Sequence, residues 1–137
     1  MASRLNPYIT FDGTAREAMT FYQACLGGEL VLNTFGQYGE PDSPIAENIM
    51  HGMLETPSGF TLMGADNPPG EAFNAGNTMA VSLSGDDEAE LRGYWDKLSE
   101  GATIAVPLDK QMWGDTFGMC IDRFGISWMV NIAGGGQ

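Results

Sequence analysis

The chain has 137 residues, of which 43% are hydrophobic, and its 18 acidic and six basic residues give a formal net charge of −12 at pH 7. The apolar fraction is sufficient for a folded core and too high for a disordered chain, and no run of about 18 apolar residues predicts a membrane span. Because affinity for phosphate depends largely on Lys and Arg, we expect neither a nucleic-acid nor a membrane partner. The acidic charge indicates either simple solubility or a preference for cationic ligands.

The first half of the chain reads as a strand, a helix and three more strands. The opening strand, residues 6–11, ends at Asp12-Gly13, and a T-x-x-E capping box of Thr14 and Glu17 begins the helix. Apolar residues of the helix follow a 3.6-residue period until Gly27-Gly28, which suit a left-handed cap. The further strands are predicted at 29–35, 47–55 and 59–64.

The same order of elements then restarts. Residues 66–76 are rich in Pro, Gly and Asn, which is typical of a linker. A strand at 77–84 precedes a helix that opens at Gly85-Asp86-Asp87 and ends before Gly101. The remaining strands are predicted at 103–108, 117–122 and 126–132.

The two halves overlay as an internal repeat. The first strand, Ile9-Thr10-Phe11, matches Val81-Ser82-Leu83. Further along the two halves, "SGFTLMG" at 58–64 matches "FGISWMV" at 124–130. The sequence therefore predicts two tandem βαβββ modules, 5–65 and 77–132, that form one α+β domain spanning 1–137.

Strand periodicity assigns the two faces of each predicted sheet. Alternate residues such as Ile9, Phe11, Met79 and Leu83 are expected to face the helices. The opposite face is expected to carry mixed hydroxyl and methionine side chains, which suit either a ligand cavity or a plastic core. Its expected members are Tyr8, Thr61, Met63, Thr78, Ser127 and Met129.

The cysteines and the amino-terminal sequence predict a cytoplasmic protein. Cys25 and Cys120 are two lone thiols without a CxxC motif, which fits a reducing compartment. The first ten residues have no apolar core after Arg4, so we expect no secretory signal there.

Paired βαβββ modules of this length resemble the vicinal oxygen chelate superfamily, which includes glyoxalase I, bleomycin-resistance proteins and extradiol dioxygenases. Within it the chain is most similar to the PhnB-like group, through "NPYITFDGTAREAMTFYQACLGGEL", "IMHGML", "TLMGAD" and "DRFGISWMVN". PhnB-like proteins often carry the label 3-demethylubiquinone 3-methyltransferase. No glycine-rich nucleotide turn follows a strand here, so we discount that label.

The resemblance implies curved mixed sheets around a cup, and a homodimer. Metal-using relatives keep four His, Glu or Gln ligands in the cup, at positions that the repeat carries onto Asn6, Met63, Thr78 and Met129. Thioether sulfur is too soft for hard divalent ions, so we expect no metal at these positions and no cofactor.

Two residues are candidate catalytic groups. His51 is the only histidine, and it lies on a predicted strand with Ile49, Met53 and Glu55 along one face. An imidazole titrates near neutral pH, so His51 is the best general acid–base if it opens into the cup. Asp66 follows the Met63 strand, and as a loop acid it would serve either as a turn former or as a catalyst at the rim.

Three functions remain open from the sequence. The first is a metal-independent protein that binds a small organic molecule, with Trp113 and Phe117 near the mouth of the cup. The second is a lyase, isomerase or dioxygenase with an atypical metal site near His51 and Asp66. The third is a drug-sequestering protein of the bleomycin-resistance kind, in which acidic charge attracts a cationic ligand.

Overall fold

The computed structural model describes residues 3–39, 41–68 and 70–134. The chain divides into two compact units, the first ending at Ala75 and the second beginning at Gly76. Each unit contains four strands and one helix. The first unit consists of β1 (Tyr8–Phe11), α1 (Ala15–Leu26), β2 (Glu29–Thr34), a 3₁₀ helix (Phe35–Tyr38), β3 (Ile49–Glu55) and β4 (Thr61–Asp66). The second consists of β5 (Val81–Gly85), α2 (Glu88–Leu98), β6 (Thr103–Lys110), β7 (Thr116–Ile121) and β8 (Ser127–Ile132).

The two sheets have the same topology. Their strand orders are β1-β4-β3-β2 and β5-β8-β7-β6. In each, the first strand runs parallel to the last and the other pairs are antiparallel. The predicted α+β class and the tandem βαβββ order are thereby confirmed. Whether the two units make up one domain stays a prediction.

The match between 58–64 and 124–130 is visible in the hairpin turns. In the β3–β4 turn the N–H of Thr56 donates to the carbonyl of Phe60 at 3.0 Å, and the N–H of Gly59 donates to Thr56. The β7–β8 turn repeats this pattern with Asp122, Ile126 and Gly125. Gly59 and Gly125 have φ values of +90° and +86°, a left-handed conformation that favours glycine. The repeat therefore reflects shared backbone geometry as well as shared side chains.

Each helix buries the face that its sequence period predicts. The core side of α1 comprises Ala15, Ala18, Met19, Tyr22, Cys25 and Leu26. The core side of α2 comprises Leu91, Tyr94, Trp95 and Leu98. The apolar residues of the sheets that face them are buried as well: Phe11, Leu54, Leu62, Leu83, Cys120, Trp128, Val130 and Ile132. None of the described helices is long and apolar enough to cross a membrane.

Two predictions about element ends are wrong. The side chain of Thr14 makes no capping hydrogen bond at the start of α1, because its backbone (φ −111°, ψ 12°) is not in the extended conformation that an N-cap residue needs. A carboxylate from β4 accepts from the first helical N–H, that of Ala15. The fifth strand begins at Val81 and not at residue 77, and Met79 is 81% exposed where a helix-facing residue was expected. The reason is register: Val81 pairs with Trp128, so Met79 would be level with the β7–β8 turn, where there is no strand to pair with.

Candidate functional site

A row of four side chains crosses the face of each sheet that lies opposite its helix. Register partners on neighbouring strands point to the same face, so the register defines the rows directly. The first row is Tyr8, Met63, Met53 and Val31. The second row is Ser82, Met129, Met119 and Val106. We call these the first and second methionine rows; their four methionines are all half-buried.

Each row contains a cross-strand pair of methionines. Met53 is the register partner of Met63, and Met119 is the register partner of Met129. Only Met63 and Met129 of these four were expected from the sequence to line the face opposite the helices. Met53 and Met119 could also have been found from the sequence, because they have the same spacing along the chain as Met63 and Met129. They lie one strand before the segments 58–64 and 124–130 in which the repeat was recognised.

Two members of the first row, Met63 and Tyr8, form hydrogen bonds with an amide and an imidazole outside it. The Asn6 Nδ2 group donates to the Met63 sulfur at 3.5 Å, which brings together two of the positions that the resemblance carried over. The Tyr8 hydroxyl lies 3.5 Å from His51 Nδ1, and the two ring centroids are 5.8 Å apart. Tyr8 is on β1 and His51 on β3, with β4 between them. The two side chains therefore meet above β4, on the face that carries Met63.

A bulge separates His51 from the residue that was expected to share its face. Asn33 pairs with His51, but the next residue of β2, Thr34, pairs with Ile49, so Met50 is an extra residue in β3. The extra residue reverses the alternation. Ile49 consequently has no exposed surface, whereas His51 is half-buried on the opposite face.

Asp66 occupies a different place from the one expected for a loop acid. It is the last residue of β4 and only 3% exposed. Its Oδ1 accepts from the N–H of Ala15 at 2.9 Å, and its Oδ2 accepts from the N–H of Ile49 at 2.8 Å. The carboxylate thus caps α1 and fixes the start of β3 on the helix side of the sheet. The structure therefore does not bring Asp66 and His51 together.

The structure also separates the carried-over ligand positions of the second unit. Met129 is level with Ser82, as Met63 is level with Tyr8, so the counterpart of Tyr8 in the second unit is Ser82 and that of Asn6 is Ala80. Thr78 precedes β5 and is exposed. Among residues 3–39, 41–68 and 70–134, no group of three His, Cys, Asp or Glu side chains lies close enough together to hold a metal ion.

The remaining expected residues lie beside the rows. Thr61 and Ser127 are half-buried and come two residues before Met63 and Met129 on their strands. Phe117 lies on β7, two residues before Met119, and its ring centroid is 6.5 Å from that of Trp113 in the β6–β7 turn. Trp113 is 61% exposed. The structure thus brings Trp113 and Phe117 together next to the second row.

A carboxylate anchors the same turn. Asp115 Oδ2 accepts from Asn131 Nδ2 at 3.0 Å, and its Oδ1 accepts from the N–H of Gly134 at 2.8 Å. These hydrogen bonds, the first from Asn131 and the second from Gly134, hold the pKa of Asp115 below its ordinary value of 3.8. Because Asn131 is the register partner of Phe117, a fixed negative charge lies close to the aromatic pair.

The "D-x-F-G-x-x-W" motif has a structural explanation. Asp122 is 4% exposed, and its Oδ1 accepts from the N–H groups of Phe124 and Ile126 at 2.8 and 3.0 Å. Its Oδ2 accepts from Trp128 Nε1 at 2.9 Å. The acid orders the hairpin turn and satisfies the buried indole, so it is fully used within the fold.

Comparisons with known proteins identify similar chains that span both units. The family model described as 3-demethylubiquinone-9 3-methyltransferase matches residues 3–131. The crystal structure of protein PA1353 from Pseudomonas aeruginosa is 36% identical, with a TM-score of 0.87, and the match covers 97% of this chain and 99% of that one.

Two further structures share the fold at lower identity. A PhnB protein from Bacillus cereus, titled a putative 3-demethylubiquinone-9 3-methyltransferase, is 23% identical, with a TM-score of 0.77, over 96% of this chain and 100% of that one. A glyoxylase/bleomycin resistance protein/dioxygenase domain from Frankia sp. EAN1pec is 13% identical, with a TM-score of 0.67, over 100% and 96% of the two chains.

Proposed function

The chain belongs to the family described as 3-demethylubiquinone-9 3-methyltransferase, in the PhnB-like group of the glyoxalase/bleomycin resistance/dioxygenase superfamily, and on that premise we propose that it binds a small organic molecule without a divalent metal. The binding surface is the methionine row of one or both units. The observation that carries the proposal is the duplicated pair of half-buried methionines on the face opposite each helix.

Methionine is suited to such a surface. Its side chain is unbranched, flexible and polarisable, so it adapts to apolar ligands of varied shape and makes favourable contacts with aromatic rings. Polar groups flank both rows and supply orientation: the Tyr8 hydroxyl and the Asn6 amide beside the first, and Ser82 and Ser127 beside the second. An apolar surface with a few hydrogen-bonding groups is the usual composition of a small-molecule site.

The family name alone does not extend to methyl transfer from a nucleotide-like donor. The β1–α1 connection is short, and the Asp66 carboxylate already occupies the N–H of Ala15 at the start of α1. That negative charge leaves the positive end of the helix unsuited to an anionic group of such a donor, whether carboxylate or phosphate. The methionine rows, which carry no such charge, are the better candidates for the ligand.

The experiment is an NMR screen with protein labelled at the methionine methyl carbons. The chain has nine methionines, so Met79 and Met112, which are 81% and 98% exposed, provide internal references. The probes are matched neutral and cationic aromatic compounds. We expect shifts in the methyl groups of the rows and not in the references. Shifts confined to Met79 and Met112, or no binding by any probe, would contradict the proposal.

A matched pair of variants tests the assignment. Met129→Gln makes the second row polar at nearly constant length, and Met112→Gln makes the same change on the surface. We expect Met129→Gln to weaken binding of a compound that shifts the second row by roughly tenfold or more, since a buried contact of about 1.4 kcal/mol corresponds to tenfold. Met112→Gln should leave the affinity unchanged.

Metal analysis and salt dependence separate the alternatives. Plasma mass spectrometry of untagged protein that finds an equimolar divalent ion would overturn metal independence and favour a lyase, isomerase or dioxygenase. If the acidic charge of −12 drives capture of cationic ligands, as in the drug-sequestering alternative, cationic probes should bind more weakly as salt rises while neutral probes do not.

The homodimer predicted from the resemblance remains part of the proposal. Its support in the structure is a set of large apolar side chains on the surface of the single chain, among them Leu5, Val31 and Ile104, which are 102%, 59% and 43% exposed. Light scattering after size-exclusion chromatography should give twice the chain mass of 14.7 kDa. A monomeric mass at micromolar concentration would contradict the prediction.

A further inference from the structure

The first methionine row differs from the second by one imidazole, and that difference has a chemical consequence. The repeat that matches 58–64 with 124–130 also matches His51 with Phe117, and each precedes its row's β3 or β7 methionine by two positions. The first unit therefore combines two thioethers and an imidazole on one face, whereas the second combines two thioethers and a phenyl ring.

We propose that Met53, Met63 and His51 form a binding site for a soft monovalent cation of the Cu(I) or Ag(I) type. Met53 and Met63 are register partners, so their Cβ atoms are about 5 Å apart and their side chains share a face. Flexible thioethers at that separation can turn both sulfur atoms toward one ion.

The imidazole leans towards the thioether pair from the neighbouring row. His51 extends from β3 over β4, because its Nδ1 lies 3.5 Å from the Tyr8 hydroxyl on β1. The pairing of Gly52 with Gly64 and of Met53 with Met63 places His51 level with Ala65, in the row next to Met63. From there the ring leans over β4 towards Tyr8, the register partner of Met63. In the tautomer whose Nδ1–H donates to the phenol oxygen, Nε2 keeps a lone pair for the ion, an arrangement in which a partner on one nitrogen orients the other.

The donor set selects the class of ion. Two thioethers and one imidazole, with no carboxylate in the row, favour soft monovalent ions over Mg²⁺, Mn²⁺ or Zn²⁺. The nearest acid along β3, Glu55, lies in the neighbouring row opposite Thr61, is exposed, and pairs with Arg4 at 3.8 Å. The net charge of −12 raises the local concentration of any cation.

The test is a titration of the full chain with Ag(I) nitrate in chloride-free buffer, followed by NMR of the methionine methyl groups and the His51 ring. Ag(I) is used because it is redox-inert and needs no reductant. We expect one ion per chain, with shifts at Met53, Met63 and His51 and none at Met119 and Met129. The second row serves as a control within the same molecule, since it has the thioether pair without the imidazole.

Variants decide whether the shifts report these ligands. Met63→Leu and His51→Gln should each weaken Ag(I) binding by roughly tenfold or more, because each removes a direct ligand. Met129→Leu and Met112→Leu make the matched change outside the site and should leave the affinity within about twofold; leucine for methionine is tolerated by most packed sites.

Two results would overturn the proposal. One is the absence of Ag(I) binding by the wild-type protein. The other is binding that persists in both Met63→Leu and His51→Gln, which would assign the ion to the buried thiols of Cys25 and Cys120 or to a surface methionine. The titration contains no organic ligand, so its failure is distinct from that of the ligand screen.

Discussion

Replacing Asp122 by alanine should remove much of the stability of the second unit. The carboxylate accepts hydrogen bonds from the N–H groups of Phe124 and Ile126 and from Trp128 Nε1. Trp128 is 1% exposed, so its indole N–H would be left buried and unsatisfied at a cost of about 2 kcal/mol. The two turn N–H groups are closer to water, and losing a charged acceptor costs about 0.5–1 kcal/mol for each.

The expected loss is therefore about 3–4 kcal/mol, which lowers the melting temperature by about 10 °C for a chain of this size. Urea unfolding followed by circular dichroism measures it. Asp122→Asn keeps one oxygen for the turn but places an NH₂ group against the indole N–H, so it should lose about 2 kcal/mol. The control is Asp96→Ala on the exposed side of α2, which removes the same charge and should change stability by less than about 0.5 kcal/mol.

A loss of less than about 1 kcal/mol in Asp122→Ala, or a loss equal to that of Asp96→Ala, would refute this role of the carboxylate. Either result would mean that water replaces the carboxylate at the indole, which the burial of Trp128 argues against. It would also leave Asp122 without a structural explanation for its burial.

Three further predictions concern the helix cap, a close backbone contact and a buried thiol. Asp66→Ala should lower the free energy of unfolding by about 2–4 kcal/mol, because it removes the acceptor for two buried N–H groups. Thr14→Ala, the control, should lower it by less than about 0.5 kcal/mol. Urea titrations that rank the two variants the other way would support the predicted capping box instead. Gly28→Ala should prevent folding or lower the free energy of unfolding by more than about 3 kcal/mol, because the new Cβ would lie 2.1 Å from the Glu55 carbonyl oxygen at φ +102°. Gly59→Ala, whose Cβ would meet nothing within 4 Å, should lower it by about 1 kcal/mol. Equal melting temperatures for the two variants would argue against the close contact at Gly28. Burial and the nearby Asp122 charge raise the pKa of the Cys120 thiol from 9.0 to about 11. As the pH rises the unfolded chain therefore loses this proton before the folded chain does, and the free energy of unfolding should fall between about pH 9 and 11. A Cys120→Ala variant with the same decline over that range would contradict the assignment.

The sequence predicted the fold well where the signal was local. Each helix lies within a residue or two of the segment that its apolar period and its glycines indicated, and the order of elements repeats as the overlay required. The opposite-face positions Met63 and Met129 were also identified correctly from strand alternation alone. Period and turn chemistry act over a few residues, which is why a single sequence displays them.

What the sequence did not display depends on pairing between distant segments. The bulge at Met50 reverses the face of Ile49, and nothing in the order of residues 49–55 marks it. The first N–H of α1 is bound by Asp66, which is far from Ala15 along the chain, whereas the local T-x-x-E pattern predicted a cap from Thr14. The sequence overlay matched Ile9 with Val81, whereas the register to the last strand matches Tyr8 with Ser82 and hence Ile9 with Leu83, a displacement of two residues.

That displacement preserves the face while changing the neighbours. A shift of two residues keeps every side chain on its side of the sheet, so the core of each unit is unaffected by it. It replaces Tyr8 by Ser82 beside the methionine pair, and the repeat also replaces His51 by Phe117. The turns, the glycines and the helix faces agree between the two units, while these two positions beside the methionine pairs do not.

This contrast distinguishes the two demands on the chain. Positions that both units need for folding have the same chemistry in each: the left-handed Gly59 and Gly125, and an oxygen acceptor at Thr56 and Asp122 for the turn that follows. The faces opposite the helices share the thioethers, the valines Val31 and Val106 and the hydroxyl residues Thr61 and Ser127. They differ at Tyr8 and Ser82, and at His51 and Phe117. If these faces only filled space in the fold, the groups beside the methionines would be interchangeable. The double variant His51→Phe with Phe117→His would then leave every binding property unchanged. We expect instead that Ag(I) binding moves from the first unit to the second in that double variant. Loss of binding from both units in a chain that still folds would show that Tyr8, which remains in the first unit, is needed to orient the imidazole.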